Sequence, residues 1–122
     1  MIERFMSKVE RAYYCTGVHD IAKHYGLASQ MLKLVEEGAE YVQAFAKAAN
    51  APETSPVDPE LKQHLLEELA DVIVVVDQVT LLLPEKDRRR VIQMTQAKIE
   101  RETERIAEKS GRASARDIEH GC

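Results

Sequence analysis

A run of apolar residues from Leu61 to Val79 constrains the fold more than any other part of the chain. Its apolar members follow helical spacing and cover nearly every side of the helix that they predict: Leu61, Leu65, Leu66, Leu69, Val72, Ile73, Val74, Val75, Val76 and Val79. A helix that is apolar nearly all round is buried on several sides. Glu68 and Asp71 share one face of this helix and interrupt its apolar surface. Carboxylates in such a place protonate, find cationic partners or bind a metal.

A second group of acids lies one predicted helix earlier, at Glu36, Glu37 and Glu40. Glu37 and Glu40 share a helix face, and Glu36 and Glu40 form a like-charged i,i+4 pair that Lys33 relieves only in part. Two interpretations of this polar stripe stay open: a solvated helix face, or one side of a site. If the stripe faces the acids of the apolar helix, four or five carboxylates surround one cleft and need a divalent cation. Ligands that are all oxygen select Mg²⁺ or Mn²⁺ over zinc.

Length and composition fit a small helical protein. The chain has 122 residues, with 5 glycines, 4 prolines and no tryptophan, and helix formers dominate. This composition predicts one domain with an all-α fold. The formal net charge of -4 argues against a general nucleic-acid binder. We expect a cytoplasmic protein without a membrane segment, because the sequence shows no signal-peptide core, no bilayer-spanning apolar run and only two cysteines.

The spacing of apolar and turn-forming residues predicts four main helices. The predicted helical segments are 2–15, a short turn at 19–25, then 29–49, 58–83 and 85–109. A break or kink is expected at Thr16-Gly17, and a loop at residues 50–57. Ser29 is the expected N-cap of the second long helix. Asp58 and Pro59 are the expected N-cap and first residue of the third.

Helical segments joined by short connections favour an antiparallel four-helix bundle. We expect residues 1–111 to form a single domain and 112–122 a flexible C-terminal tail. The third helix carries more apolar surface than three neighbours cover, which favours a dimer. In the fourth helix, Ile92, Ile99 and Ile106 repeat every seven residues. This thin seam is typical of packing on one neighbour or on a partner chain.

The two acid groups together resemble the motif of a known family. Glu-Glu-x-x-Glu, within Lys-Leu-Val-Glu-Glu-Gly-Ala-Glu (33–40), is followed by Glu-x-x-Asp, within Leu-Glu-Glu-Leu-Ala-Asp-Val-Ile (66–73). This combination resembles the MazG-like, all-α nucleoside triphosphate pyrophosphohydrolases, over roughly residues 29–83. The resemblance implies a homodimer or tetramer of helical bundles. It also implies Mg²⁺-dependent cleavage of a nucleoside triphosphate into a monophosphate and pyrophosphate, with Mn²⁺ as a substitute ion.

The resemblance also implies roles for single residues. The implied metal ligands are Glu37, Glu40, Glu68 and Asp71. Glu36 is implied as a ligand through water or as the base that orients the attacking water. The candidate substrate-binding residues are Lys33, Lys98, Arg101 and Arg105, as charged donors to phosphate. For the three residues of the last helix, a solvated basic face is the competing interpretation. Many relatives carry an asparagine in that region, where this chain has Glu102 and Thr103, so the identity of the base and sugar stays open.

Two other classes of protein compete with the enzyme. One is a non-catalytic helical module for dimerisation or regulation that has the same fold. The other is a carboxylate-bridged di-iron or di-manganese bundle, which needs Glu-x-x-His pairs on its core helices. None of the four histidines lies three residues after a glutamate, which argues against the di-iron or di-manganese bundle.

Overall fold

In the computed structural model the chain is almost entirely helical over the residues that the structure describes, 1–50 and 58–111. A short 3-10 helix, Ile2–Phe5, precedes four α-helices: α1 (Lys8–Tyr25), α2 (Leu27–Ala49), α3 (Pro59–Leu82) and α4 (Glu85–Ser110). Neither described range contains a strand, and the predicted all-α fold is confirmed. No helix within these ranges is long and apolar enough to span a bilayer. The predicted loop residues 51–57 and the predicted tail lie outside the described residues.

The chain divides into two compact units, Met1–Leu83 and Pro84–Cys122. The first unit contains α1, α2 and α3, and α3 packs against both of the other helices, most extensively against α2. The second unit contains α4, which the structure describes to its end at Gly111. The single domain over residues 1–111 and the four-helix arrangement stay predictions. The first unit holds both acid motifs and is therefore the part that builds the candidate site.

The first long helix begins later and continues further than its sequence predicts. Ser7 caps α1 with a capping box: its hydroxyl accepts a hydrogen bond from the Glu10 amide at 3.2 Å, and the Glu10 carboxylate accepts one from the Ser7 amide at 2.7 Å. The helix then runs to Tyr25 without a break, so the break predicted at Thr16-Gly17 is wrong. A glycine inside a helix costs only about 1 kcal/mol relative to alanine, which capping and packing offset.

One buried contact and one hydrogen bond fix α1 on its neighbours. Val18 and Ala22 are the buried residues of α1. Tyr14 donates a hydrogen bond from its phenol oxygen to Oδ2 of Asp77, on α3, at 2.5 Å. Burial, and then the hydrogen bond to the carboxylate, raise the pKa of Tyr14 well above its usual value near 10. The phenol therefore stays a hydrogen-bond donor, and the α1–α3 contact keeps its geometry over the whole neutral range.

A single glycine joins α1 to α2. Gly26 has φ 84° and ψ 168°, its amide donates to the carbonyl of Ala22, and its carbonyl accepts from the amide of Gln30. Residues other than glycine rarely adopt this positive φ. The chain therefore ends one helix and starts the next within one residue. As a result, α2 begins at Leu27, and the prediction that Ser29 caps it is wrong.

The ends of α3 and α4 agree with their local sequence. Asp58 accepts a hydrogen bond from the Glu60 amide at 2.9 Å, and Pro59 is the first residue of α3. Pro84 separates α3 from α4, and Gly111 ends α4 in the left-handed conformation with φ 66°. Each of these helix boundaries depends on one local feature: the short capping side chain of Asp58, the fixed φ of Pro84 or the positive φ of Gly111. The local sequence therefore determines them.

The inner face of the second helix carries Glu37 and Gln30 beside half-buried Leu34 and Tyr41, while part of its apolar side is exposed. Its buried residues are Gln30, Glu37 and Ala44, which are seven apart and so share one face. On the other side, Leu32 is 73% exposed and Val35 is 71% exposed. No large side chain in the described residues is fully buried. Several large apolar side chains of the described residues are therefore exposed.

Two Gly→Ala variants test the role of Gly26. Gly26→Ala forces a side chain into a positive φ and should lower the free energy of unfolding by about 1–3 kcal/mol. Gly17→Ala is the matched control: a Cβ atom at Gly17 meets nothing within 4 Å, and Gly17 has no positive φ. It should raise the free energy of unfolding by about 0.5–1 kcal/mol. Urea denaturation followed by circular dichroism measures both, and equal losses would contradict the assignment.

Candidate metal centre

Two contacts between α2 and α3 show that these helices run antiparallel. Gln30 donates a hydrogen bond from Nε2 to Oε1 of Gln78 at 2.6 Å. Further along, the carboxylates of Glu37 and Glu40 on α2 lie beside that of Glu68 on α3. Residue numbers thus rise along α2 as they fall along α3. Glu37 and Glu40 therefore lie beside Glu68, whereas the rest of the polar stripe of α2, including Glu36, is exposed.

Three carboxylates form the centre of the site. Glu37, Glu40 and Glu68 each contribute one oxygen, and these oxygens lie within 4.8 Å of one another. The side chain of Glu37 is 8% exposed and that of Glu68 is 12% exposed. Glu40 is exposed. The cluster therefore has two acids set into the α2–α3 interface and one at its open side, from which a ligand can enter.

Each of the two inner acids has one oxygen that is paired and one that is not. Oε1 of Glu37 lies 2.8 Å from Nζ of Lys33, and Oε1 of Glu68 lies 3.7 Å from Nδ1 of His64. Oε2 of each glutamate is buried and has no hydrogen-bond partner. Buried polar atoms are nearly always hydrogen-bonded, and an unpaired one costs on the order of 1–3 kcal/mol, more when charged. These two oxygens therefore call for a donor or a cation.

The charges in the cluster do not balance. At a separation of 4.8 Å, the repulsion between Glu37 and Glu68 is about 3 kcal/mol at an effective dielectric constant near 20. Lys33 is the nearest cation, and it is shared, since its Nζ also lies 3.3 Å from Oε2 of Glu36. Hydrogen bonds to Glu37 and then to Glu36 raise the pKa of Lys33, so the ammonium stays charged. One ammonium does not neutralise the three clustered carboxylates.

This excess of negative charge raises the pKa of Glu40. The carboxylate of Glu37 is the main cause that raises the pKa of Glu40, followed by burial and by the carboxylate of Glu68. A raised pKa means that the ionised form is disfavoured in the folded protein. A divalent cation at the cluster would reverse this effect, because it favours all three ionised forms.

The donor set fits a hard divalent cation. All three groups are carboxylates, which suit Mg²⁺ and Mn²⁺ better than softer ions. Mg²⁺ binds through a few carboxylates and keeps several waters or substrate oxygens, so an open side is part of such a site. Glu37 and Glu68 would hold such an ion from the interior, and Glu40 would hold it from the opening.

Asp71 lies at the edge of this cluster. It is exposed and is not among the three acids that meet, so the expectation that Asp71 interrupts a buried face is wrong. Because three residues turn a helix by about 300°, Asp71 projects about 60° away from Glu68, toward the rim of the α2–α3 groove. It lines the same cleft as Lys33 and Glu37. It therefore lies within the site region, as a rim acid.

The other predicted site residues lie on exposed surfaces. Glu36 is exposed and ion-paired with Lys33. Lys98, Arg101 and Arg105 are exposed residues of α4, in the second unit. Arg105 donates a hydrogen bond to Oε2 of Glu102 at 2.6 Å. Their assignment to substrate phosphates stays a prediction.

A cleft of about 440 Å³ adjoins the acids in the first unit. Glu37 and Asp71 lie in its wall, and so do Gln30 and Gln78, which the sequence analysis did not identify. A signal for them exists: Gln30 lies two helical turns before Glu37, and Gln78 two turns after Asp71. On antiparallel helices these positions face one another whenever the acids do.

Comparison of the chain with protein-family models, curated proteins and solved structures finds no match. The interpretation of the site therefore depends on its geometry and on the acid motif.

Glu40→Gln tests the charge imbalance. The raised pKa of Glu40 contributes stability below its usual value of 4.5, and that contribution is lost as pH rises through the pKa of the folded state. In chelator-treated protein, Glu40→Gln should therefore become more stable relative to wild type as pH rises from 4 toward neutrality. The difference in free energy of unfolding should change roughly as expected for the titration of one proton. Thermal unfolding across pH measures the difference.

The control for Glu40→Gln is Glu67→Gln, on exposed α3 surface outside the cluster. Its stability should follow that of wild type across pH. Added Mg²⁺ or Mn²⁺ should stabilise wild type and the control more than Glu40→Gln. Parallel pH curves for all three proteins would contradict the assignment.

Proposed function

We propose that this chain is a Mg²⁺-dependent nucleoside triphosphate pyrophosphohydrolase, which cleaves a (d)NTP to a (d)NMP and pyrophosphate. The observation that carries the proposal is the meeting of Glu37, Glu40 and Glu68 across two helices, where Glu37 and Glu68 each keep one buried oxygen without a hydrogen-bond partner. The resemblance of the acid motif to MazG-like enzymes agrees with it. A role in clearing or balancing nucleotides in the cytoplasm fits this activity.

Glu37, Glu40 and Glu68 would hold the metal, and Asp71 would complete the ligand set from the rim. Bound Mg²⁺ supplies charge neutralisation on phosphate oxygens and an acidified water. Glu36 remains the proposed base, or a ligand through water. Lys33 holds both Glu36 and Glu37, at 3.3 and 2.8 Å, and so fixes two acids relative to each other. This fixed geometry is what positioning a nucleophile requires.

Charged donors are needed for the outer phosphates, because the acid cluster repels an anion. Lys33 lines the cleft beside Glu37 and is the donor already in the first unit. We assign the remaining phosphate contacts to Lys98, Arg101 and Arg105, following the family resemblance.

We further propose that the chain works as a homodimer or a tetramer. The support is the exposed apolar side of α2, which includes Leu32, Val35 and Val42, the last of which is 64% exposed. Leu66 on α3 is 50% exposed. Contiguous apolar surface of this kind marks an association site in a stable protein. A second copy of the chain supplies a surface of the same character, as a two-fold interface requires.

Neighbouring glutamates provide a matched test of activity. Glu68→Gln should lower pyrophosphate release by at least about 100-fold, because even outer partners of a metal site contribute 10- to 100-fold. Glu67→Gln, one residue away and exposed, should retain wild-type activity. The assay measures pyrophosphate against orthophosphate from a panel of ribo- and deoxyribonucleoside triphosphates with Mg²⁺.

The same assay separates the enzyme from the non-catalytic module. Binding of Mn²⁺, followed by electron paramagnetic resonance, should be weaker in Glu68→Gln than in Glu67→Gln. Wild-type protein that neither binds the ion nor releases pyrophosphate would overturn the proposal and favour the helical dimerisation or regulatory module. Equal activity in both variants would remove Glu68 from the site.

Two Val→Asp variants test the oligomer. Val35→Asp places a charge on the apolar side of α2 and should shift the protein to the mass of one chain, because burying an unpaired carboxylate costs several kcal/mol, on the order of the interface itself. Val9→Asp is the control, on α1, where Val9 is 80% exposed. Sedimentation equilibrium measures both masses. A wild-type monomer, or a dimer in Val35→Asp, would contradict the proposal.

A further inference from the structure

The cleft beside the acid cluster has two chemically different ends. Glu37 and Asp71 lie at one end, and Gln30 and Gln78 lie two helical turns away, about 10 Å along the helices. Between and around them lie apolar side chains, including Val74 and Val75. A metal-bound phosphate chain at the acid end leaves the other end for the part of a nucleotide that is not charged.

The glutamine end is polar although it is buried. Gln30 is 4% exposed and Gln78 is 3% exposed. Their mutual hydrogen bond of 2.6 Å uses one of the four amide N–H groups and one of the two carbonyl oxygens. Both residues line the cleft, so the amide groups outside that bond can serve a ligand there. Because the bond fixes the two amides against each other, they present a fixed pattern of donors and acceptors.

The rim of the cleft adds an aromatic side chain. Tyr25, the last residue of α1, lines the cleft and is 60% exposed. Ile21, one turn earlier on α1, lies in the same wall. A flat base stacks well on an aromatic ring and on aliphatic side chains, whereas its edge needs hydrogen-bond partners. The cleft provides both kinds of contact within about 440 Å³, enough for a nucleoside.

We propose that this cleft binds the nucleoside part of the substrate, and that the Gln30–Gln78 pair reads the hydrogen-bonding edge of the base. Tyr25 packs on the base or sugar at the rim. This inference rests on the proposed function, and it adds the residues that select the substrate. A site built to hydrogen-bond a ligand rejects an analogue with the wrong donors, since its own buried groups then lose partners. Discrimination between bases of about 10- to 100-fold follows from two or three such contacts.

The test removes the amides while keeping the side-chain shape. The double variant Gln30→Met, Gln78→Met replaces both members of a hydrogen-bonded pair with apolar groups, which leaves no lone buried partner and is compatible with folding. Tyr25→Ala changes only the exposed rim and provides a second variant. Gln63→Met, an exposed residue of α3 outside the cleft, is the matched control.

Two measurements are made on each protein. Calorimetric titration with the four common nucleoside 5′-monophosphates measures base preference without turnover. The kcat/KM values for the four triphosphates and for inorganic tripolyphosphate measure preference during the reaction. In the double variant, the differences in kcat/KM among the four bases should fall from about 10- to 100-fold to within about threefold. The kcat/KM value for tripolyphosphate should not change. Tyr25→Ala should weaken the binding of all four nucleotides about tenfold. The kcat/KM value for tripolyphosphate should not change.

The outcomes separate this inference from the proposed function. If triphosphates are hydrolysed but the double variant keeps the wild-type base preference, the inference is wrong and the function stands. An equal loss on nucleotides and on tripolyphosphate also overturns it. If nothing is hydrolysed but the monophosphates bind with a preference that the double variant loses, the inference stands and the function is wrong. Absence of both binding and hydrolysis in wild type overturns both.

Discussion

The burial of Glu37 beside Glu68 at the contact of α2 and α3 is the constraint on which the candidate site depends. Burying Glu37 and Glu68 between two helices places two carboxylates within 4.8 Å of each other, with side chains only 8% and 12% exposed. Lys33 and His64 each approach one oxygen, and the second oxygen of each acid has no partner. A divalent cation resolves both problems at once, because it supplies charge and accepts oxygen ligands. The site and the stability of the α2–α3 pair are therefore linked.

The orientation of α2 also determines what happens on the outside of the molecule. The face of α2 that buries Glu37 lies opposite Leu32 and Val35, and both of these side chains are exposed. The small core of the described chain, with buried alanines and valines and no large fully buried side chain, does not compensate for that surface. The proposed metal binding and the proposed association therefore both depend on the rotation of α2 about its axis.

Some of this could be predicted from the sequence, for physical reasons that differ between elements. Asp58 with Pro59, Pro84 and Gly111 act through local backbone geometry, so their positions determined the ends of α3 and α4. The spacing of Glu37 with Glu40 and of Glu68 with Asp71 predicted which acids share a helix face, and the family resemblance predicted that the four meet; of these, Glu37, Glu40 and Glu68 do. The break predicted at Gly17 and the N-cap predicted at Ser29 were wrong, because the capping box at Ser7 and the positive φ of Gly26 determine where α1 and α2 begin.

What the sequence could not supply is the rotation of α3 in its groove. A shift of about 60° around the helix separates a buried Glu68 from a rim Asp71, and hydrophobic patterning on a helix that is apolar all round does not define that angle. The meeting of Gln30 with Gln78 depends on the same angle and on the antiparallel register. The roles of Lys98, Arg101 and Arg105 belong to a separate unit and stay predictions.

The energetics of the cluster bear on whether the protein is an enzyme or a helical module. A module that only dimerises has no use for two inner acids, because apolar side chains of similar volume at those positions are commonly as stable or more stable than buried charges. Glu37 and Glu68 also leave oxygens unpaired, which an ion pair serving stability alone would not do. The glutamine pair continues the same line of polar groups along the interface. Two polar groups separated by apolar side chains along one helix–helix contact are explained better by a ligand that carries both a charged chain and a hydrogen-bonding ring than by packing.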